Sequence, residues 1–324
     1  KGSLDKKKNL ATTITKHFKP VTPPASSAST SKPQGTPQDT KQKTTECDLK
    51  SAAKTATMTI KTQQKLTIST WNIRGVNTSY SDLDQLLNTA NQRDKPHVLI
   101  LTELKIKKTP RWLAKLLQDY HVCYNLHTRA NRCQGGILVA VSRSLSELGQ
   151  LTVERLPDCM QGLMTHVKLE LPESTTMHII GMYCPHVSLV RKRMYWVAQQ
   201  LLSRIPSTDT IVVAGDFNAT IRVCDRIGPT SSADEIHRQF LDKVQLYPLD
   251  LPMEPELPRQ FTYRKGVGGT PCSRIGDILT NIPPQTIRAT NAHIVIEDTT
   301  GSQSDHNILT AQIPFQDIQL LPPL

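Results

Sequence analysis

A mixed α/β fold is the class this sequence predicts, on three observations. Short apolar runs recur between residue 65 and about residue 314, among them Val98-Leu99-Ile100-Leu101, Ile137 to Val141 and Ile211-Val212-Val213-Ala214. Between them lie stretches whose apolar residues repeat at three and four, the spacing of one helix face. Several of the strand-like runs also end on a side chain fit for chemistry. Asn72 follows one, Glu103 another, Asp216 and Asn218 a third, and Asp305-His306 stands just ahead of Ile308-Leu309. Alternating strand and helix patterns are the mark of a mixed α/β architecture.

Each element has its own warrant. Leu66 to Thr70 reads as a strand, and Leu83, Leu86, Leu87 and Ala90 share a helical spacing. Val98 to Leu101 is a short buried strand. Trp112, Leu113, Leu116 and Leu117 give a second helix, and Gly135-Gly136 opens the strand Ile137 to Val141. Leu163, Thr165, Val167, Leu169 and Leu171 alternate with more polar residues, which predicts a half-buried strand. Ile179 to Tyr183 is another strand. Val190, Met194, Val197 and Leu201 form a helical stripe leading to the Ile211 strand. No internal repeat is apparent.

Composition sets the domain limits. The chain of 324 residues is only 37% hydrophobic. Residues 1–64 account for much of that deficit: they are rich in Thr, Ser, Lys, Pro and Gln, with Phe18 as their one aromatic residue. Such a segment buries too little apolar surface to offset its chain entropy. We therefore expect a disordered basic tail over 1–64, a folded domain over 65–314 and a C-terminal extension over 315–324. Residues 1–65 hold 13 Lys and 4 acidic residues, a net of +9, and the remainder carries only +2. The basic character thus belongs to the tail, where it serves as a solvated linker or adds salt-sensitive attraction to nucleic acid. Lys6-Lys7-Lys8 is a short basic run of the kind found in nuclear signals. The seven cysteines are odd in number and none forms a C-x-x-C pair, so the sequence implies neither a disulfide framework nor a zinc site. Scattered cysteines suit a reducing compartment. No apolar run approaches the roughly 18 residues of a membrane span, and no secretion signal is visible. The chain opens on Lys1, as expected of a piece of a longer protein.

Asparagine, glutamate and aspartate at strand ends, with one histidine, supply hard oxygen ligands and a proton-bearing ring. That inventory suits a Mg²⁺-assisted attack on a phosphate. Singly, such residues are most often turn, surface or packing residues. Here five motifs stand in one order between Asn72 and His306: Trp71-Asn72-Ile73-Arg74-Gly75, Thr102-Glu103-Leu104-Lys105, Tyr183-Cys184-Pro185-His186, Gly215-Asp216-Phe217-Asn218 and Ser304-Asp305-His306.

In content and order these motifs resemble the endonuclease/exonuclease/phosphatase family. The resemblance implies a four-layer α/β sandwich of two mixed sheets flanked by helices. It implies a metal site at Asn72, Glu103 and Asp305 for Mg²⁺, with Mn²⁺ able to take its place. Asp216 would orient the attacking water, Asn218 would hold a phosphate oxygen, and Tyr183 and His306 would stabilise the phosphate or assist the leaving oxygen. His186, standing where the family has asparagine, and Arg274 are expected at the substrate.

One motif departs from the pattern. The family's Ser-Arg-Ile-Asp-x-Ile-Leu segment supplies an aspartate that holds the catalytic histidine. This chain reads Ser273-Arg274-Ile275-Gly276-Asp277-Ile278-Leu279, with Gly276 at the aspartate position. A bulge at Gly276 would turn Asp277 inward to hydrogen-bond His306 and raise its pKa, which is the expectation. The alternative is an unbulged strand with Asp277 facing solvent and His306 unsupported, implying a slow or inactive enzyme.

Within the family, several segments look most like the endonuclease domains of LINE-type (non-LTR) retrotransposons. They are Arg191-Lys192-Arg193 before Tyr195-Trp196, then Asp225-Arg226, Phe261-Thr262-Tyr263 and the Pro-rich end. That likeness implies a nuclear endonuclease, covalently linked to a reverse transcriptase, that nicks DNA to prime reverse transcription. A phosphatase or deadenylase of the same fold, or a catalytically impaired nucleic-acid-binding relic, are the alternatives.

Overall fold

In chain order, β1 (Lys65–Asn72), α1 (Tyr80–Asp84), β2 (Val98–Thr102), α2 (Arg111–Leu116), β3 (Tyr120–Asn125), β4 (Ile137–Ser142), α3 (Arg143–Ser146) and β5 (Gln150–Glu154) make the first half of the fold. The second half runs through β6 (Met164–Glu170), β7 (Thr176–Tyr183), α4 (Ser188–Leu202), β8 (Thr210–Asp216), α5 (Ser232–Val244), β9 (Tyr247–Pro248), β10 (Tyr263–Arg264), β11 (Pro271–Ser273), β12 (Gly276–Thr280), α6 (Pro284–Ala289), β13 (His293–Glu297) and β14 (Ile308–Pro314). The structure is a computed structural model that describes residues 65–89, 95–127, 135–172, 176–250, 259–266, 269–289, 293–297 and 304–314. The expected tail, the C-terminal extension and Ala90 lie outside the described residues.

Two six-stranded sheets carry the fold. One has the order β13-β14-β1-β2-β4-β3 and the other β5-β6-β7-β8-β12-β9; β10 and β11 pair by themselves. Leu66, Ile68, Val98, Ile100 and Val139 of the first sheet pack against Val167, Ile179, Val212 and Ile278 of the second. Successive strand residues point to opposite faces, so Leu99 and Leu101 face the other way. There they join Leu83 and Leu87 beside α1 and Leu113 of α2. On the far side, Met194, Tyr195 and Ala198 of α4 and Phe240 and Leu241 of α5 cover Ile180, Met182 and Val213. The result is the four-layer α/β sandwich. At Gly181 the sheets come so close that an added Cβ would lie 2.9 Å from a methyl of Val139 and 3.0 Å from one of Ile137.

Two elements differ from expectation. The strand expected to be half-buried, β6, is buried on both faces: Met164 joins the α4 cluster and His166 bonds His178 at 2.9 Å. Its inner position between β5 and β7 explains this. Helix α4 is turned by about one residue from the expected stripe. Arg191, Met194, Tyr195, Val197, Ala198 and Leu202 are buried, while Val190 is exposed. The cause is Arg191, whose guanidinium donates to the carbonyls of Phe217 at 2.6 Å and Asn218 at 3.3 Å.

Strand direction gathers the motif residues. β1 runs parallel to β2 with Asn72 opposite Thr102, and β7 runs parallel to β8 with Tyr183 opposite Asp216. β14 is antiparallel to β1, so its first residues lie beside the end of β1. The ends of both sheets therefore bring Asn72, Glu103, Tyr183, Asp216 and Asp305-His306 to one edge of the sandwich.

Candidate active site

The centre of this edge is the Asn72 amide. Its Nδ2 donates to Glu103 Oε1 at 3.0 Å and to Asp216 Oδ2 at 2.7 Å, joining residues from both sheets. Its oxygen, the expected metal ligand, accepts from the Arg74 N–H at 3.0 Å. Glu103 is further held by Lys105 Nζ at 2.6 Å and by a hydrogen bond from Tyr183. Burial pushes the Glu103 carboxyl up, but the bonds from Lys105 and Asn72 outweigh it and hold the pKa below its ordinary value. Burial pushes the Tyr183 hydroxyl well up, with the Glu103 and Asp216 charges adding to the effect, so it stays protonated and can donate.

Asp216 sits at the end of β8, where Gly215 adopts φ +150°. A Cβ at Gly215 would meet Met182 O at 1.9 Å, so only glycine lets β8 pass β7 here. The Asp216 carboxylate accepts from the Asn218 N–H at 2.9 Å, and Asn218 Nδ2 donates to Cys184 O at 2.9 Å. Burial raises the Asp216 pKa to about 7, against the pull of Asn72. A carboxylate with that value accepts a proton near neutral pH. Arg191, beneath this turn, fixes two of its carbonyls.

Asp305 and His306 arrive from the start of β14. Asp305 Oδ2 pairs with Arg74 Nη1 at 2.7 Å, while its buried Oδ1 makes no hydrogen bond and lies 3.6 Å from His306 Nε2. The Trp71 indole donates to His306 O at 2.9 Å, and Ser304 Oγ both accepts from the His306 N–H and donates to Asn72 O. Tyr263 packs its ring 5.1 Å from the His306 imidazole. Burial lowers the His306 pKa to about 3, so the ring is neutral and carries one N–H.

The expected bulge does not form. β12 pairs with β8 in unbroken register, Gly276 opposite Asp216 and Asp277 opposite Gly215. Asp277 instead bonds Arg259 Nη1 at 2.9 Å and Arg274 Nη2 at 3.2 Å. The reason is the period of two: without an extra residue Asp277 faces away from His306, toward two guanidiniums that claim it. The expectations of an Asp277–His306 bond and of a raised His306 pKa are both corrected. Arg274 is corrected too. Its side chain is fully buried and bonds Gly276 O, Gln260 O, Asp250 and Asp277, which takes it out of reach of a substrate.

His186 is exposed and lies on the rim of a cleft of about 530 Å³ that Arg74, Glu103, Lys105, Asn218, Asp305 and His306 also line. Arg74 and Lys105 are residues that motif reading passed over, although both stand inside the motifs, each two positions after a strand-end residue. Arg74, Glu103, Lys105 and Asn218 all have left-handed backbone, with φ between 48° and 54°. Such strained residues gather where a site is held open by its surroundings. The burial of Arg191 was hidden, although the residue stands in the Arg191-Lys192-Arg193 segment, because an arginine in an apolar helix stripe counts as polar.

The Glu103 and Asp305 carboxylates, one of them with a buried oxygen that makes no hydrogen bond, and the Asn72 amide oxygen, which accepts from the Arg74 N–H, are hard oxygen donors suited to a divalent cation. Among the described residues no three His, Cys, Asp or Glu side chains form a ready cage. Mg²⁺ needs none, since it is usually held by one or two carboxylates with waters and substrate phosphate. Glu103 and Asp305, with the Asn72 oxygen, fit that pattern.

The sequence profile of the Endonuclease/Exonuclease/phosphatase family matches residues 69–306, well over half of the chain. No curated protein sequence matches. Among solved structures, the AP endonuclease LMAP from Leishmania major superposes with a TM-score of 0.61 at 15% identity, covering 78% of this chain and 88% of that one. A 3′ phosphatase, NExo from Neisseria, bound to a product DNA hairpin, gives 0.57 at 21% identity, covering 76% and 99%. The endonuclease domain of TRAS1, a telomere-specific non-LTR retrotransposon, gives 0.56 at 12% identity, covering 78% and 99%. At these identities the likeness is one of fold.

Proposed function

The chain belongs to the Endonuclease/Exonuclease/phosphatase family, and from this premise we propose that it is a divalent-metal-dependent endonuclease that nicks DNA. The observation that carries the reading is the Asn72 amide tying Glu103 to Asp216 across the two sheets, beside an Asp305 oxygen that makes no hydrogen bond. Glu103 and Asp305 would hold Mg²⁺, or Mn²⁺ in its place. Bound there, the ion supplies charge that polarises the scissile phosphate. Asp216 takes a proton from the attacking water, for which its raised pKa suits it. The neutral His306 N–H, the Asn218 amide and the Tyr183 hydroxyl donate to phosphate oxygens as negative charge develops. Arg74 and Lys105 line the same cleft and supply positive charge for the DNA backbone.

The LINE-type segments and the TRAS1 likeness support a finer reading. In it the nick leaves a 3′-hydroxyl that primes a linked reverse transcriptase, and the protein works in the nucleus. The test is nicking of supercoiled plasmid with Mg²⁺, with the ends mapped. Glu103→Ala and Asp216→Ala should each abolish nicking, a loss of several kcal/mol of transition-state stabilisation, with unchanged circular dichroism. Near-wild-type nicking by either variant overturns the site. DNA binding without cleavage by the wild type favours a binding relic, and release of phosphate alone favours a phosphatase.

A further inference from the structure

Helix α4 buries one face and leaves the other bare. On the bare side Leu189 is 78% exposed and Trp196 62%, and Val187, just before the helix, is 60% exposed. Ten large hydrophobic residues are exposed among the described residues, and four of them, Val187, Leu189, Val190 and Trp196, lie on this one segment. Scattered apolar residues need no explanation, but a cluster does. Lys192 and Arg193 stand between them, exposed, and neither forms an ion pair with a described residue. The helix contains no acidic residue.

The position of this face gives its occupant. Val187 and Val190 line a second cleft, of about 580 Å³, that shares Glu103, Lys105 and His186 with the active site and adds Tyr183. The bare face of α4 therefore continues outward from the place where the phosphate would be cut. Leu189 to Trp196 spans about 10 Å at 1.5 Å per residue, long enough to meet more than one nucleotide of a strand. Cations meet phosphates, and an indole offers a stacking surface to a base. A base in a duplex keeps its faces inside the stack, so an exposed tryptophan beside apolar side chains calls for unpaired bases.

We propose that the outer face of α4, from Val187 to Trp196, holds an unpaired DNA strand flanking the cut. Leu189 and Trp196 pack on bases, and Lys192 and Arg193 meet the phosphates. This rests on the nuclease reading and adds to it a preference for DNA with a single-stranded extension beside the nick.

The test measures binding of labelled duplex DNA, with and without a single-stranded extension, by fluorescence anisotropy of the full chain in chelator, so that nothing is cut. The wild type should bind the extended DNA more tightly. Trp196→Ala and Leu189→Ser should each weaken that binding about tenfold or more and leave duplex binding and plasmid nicking unchanged. A Lys192→Gln, Arg193→Gln double variant should reduce the slope of log affinity against log salt by about one to two. Tryptophan emission should be quenched by the extended DNA in the wild type and not in Trp196→Phe. Equal binding of extended DNA by wild type and Trp196→Ala overturns the proposal while plasmid nicking keeps the nuclease reading intact. Loss of protein self-association in Trp196→Ala with DNA binding unaltered also overturns it, in favour of a protein partner. A wild type that neither binds nor nicks DNA removes the nuclease reading and this proposal together.

Discussion

At the scale of single residues, the arginine pair Arg259 and Arg274 decides what Asp277 does. Arg259 Nη1 bonds Asp277 at 2.9 Å and Asp250 at 3.0 Å, and Arg259 Nη2 bonds Asp225 at 2.9 Å. All these groups are withdrawn from water except the partly exposed Asp250. Asp277→Asn takes one carboxylate charge out of this buried cluster while Arg259 keeps Asp225 and Asp250 and Arg274 keeps Asp250, so the cost should fall below the roughly 3 kcal/mol of a buried charge left wholly without a partner. Asp277→Asn should therefore lower the midpoint of urea unfolding and leave the pH profile of nicking in place. A shifted pH profile with unchanged stability would mean that the aspartate serves the active site after all. The Gly276 departure could be read in the sequence, but its outcome could not. The residue that claims Asp277 most strongly is Arg259, which lies 18 positions upstream and belongs to none of the motifs. The strand-end residues were legible for the opposite reason: each motif carries its own strand and turn, so position along the chain translates directly into position at the sheet edge.

At the scale of elements, β6 and β7 carry a buried histidine pair. Asp209 accepts from His178 Nε2 at 3.0 Å, which leaves His178 Nδ1 to accept from His166 Nε2 at 2.9 Å. Burial, helped by His178 and Lys168, lowers the His166 pKa from 6.5 to about 4. The folded state thus binds fewer protons than the unfolded state between those two values, and stability rises with pH across that window. Above about pH 6.5 the contribution is complete. As pH falls toward 4 the protein should lose up to about 3 kcal/mol from this group. Urea unfolding between pH 7 and pH 4 should show a shallower fall in His166→Leu, and parallel slopes in the two proteins would refute the assignment. Periodicity revealed the strands β2, β4 and β8 because their apolar runs are unbroken. It missed the burial of His166 and Arg191 because a polar side chain that finds a buried partner looks, in sequence, like one facing water.

At the scale of the whole molecule, the site exists because two sheets end together, and the strands of both sheets described lie between Lys65 and Pro314. The first strand begins at Lys65, opposite Pro314, and Leu66 pairs with Ile313. Every buried core residue among those described lies between Leu66 and Ile313. Residues 1–64 carry charge and no core-forming pattern, so their expected contribution is electrostatic. Deleting them should leave unfolding cooperative with an unchanged midpoint and leave plasmid nicking in place. DNA affinity should drop at low salt, and the gap between full-length and shortened protein should close as salt rises, because exposed lysines act through counterion release and are screened. Affinity measured at several salt concentrations checks this. A deficit that stays constant with salt would assign the tail specific contacts, and loss of cooperative unfolding would make it part of the fold.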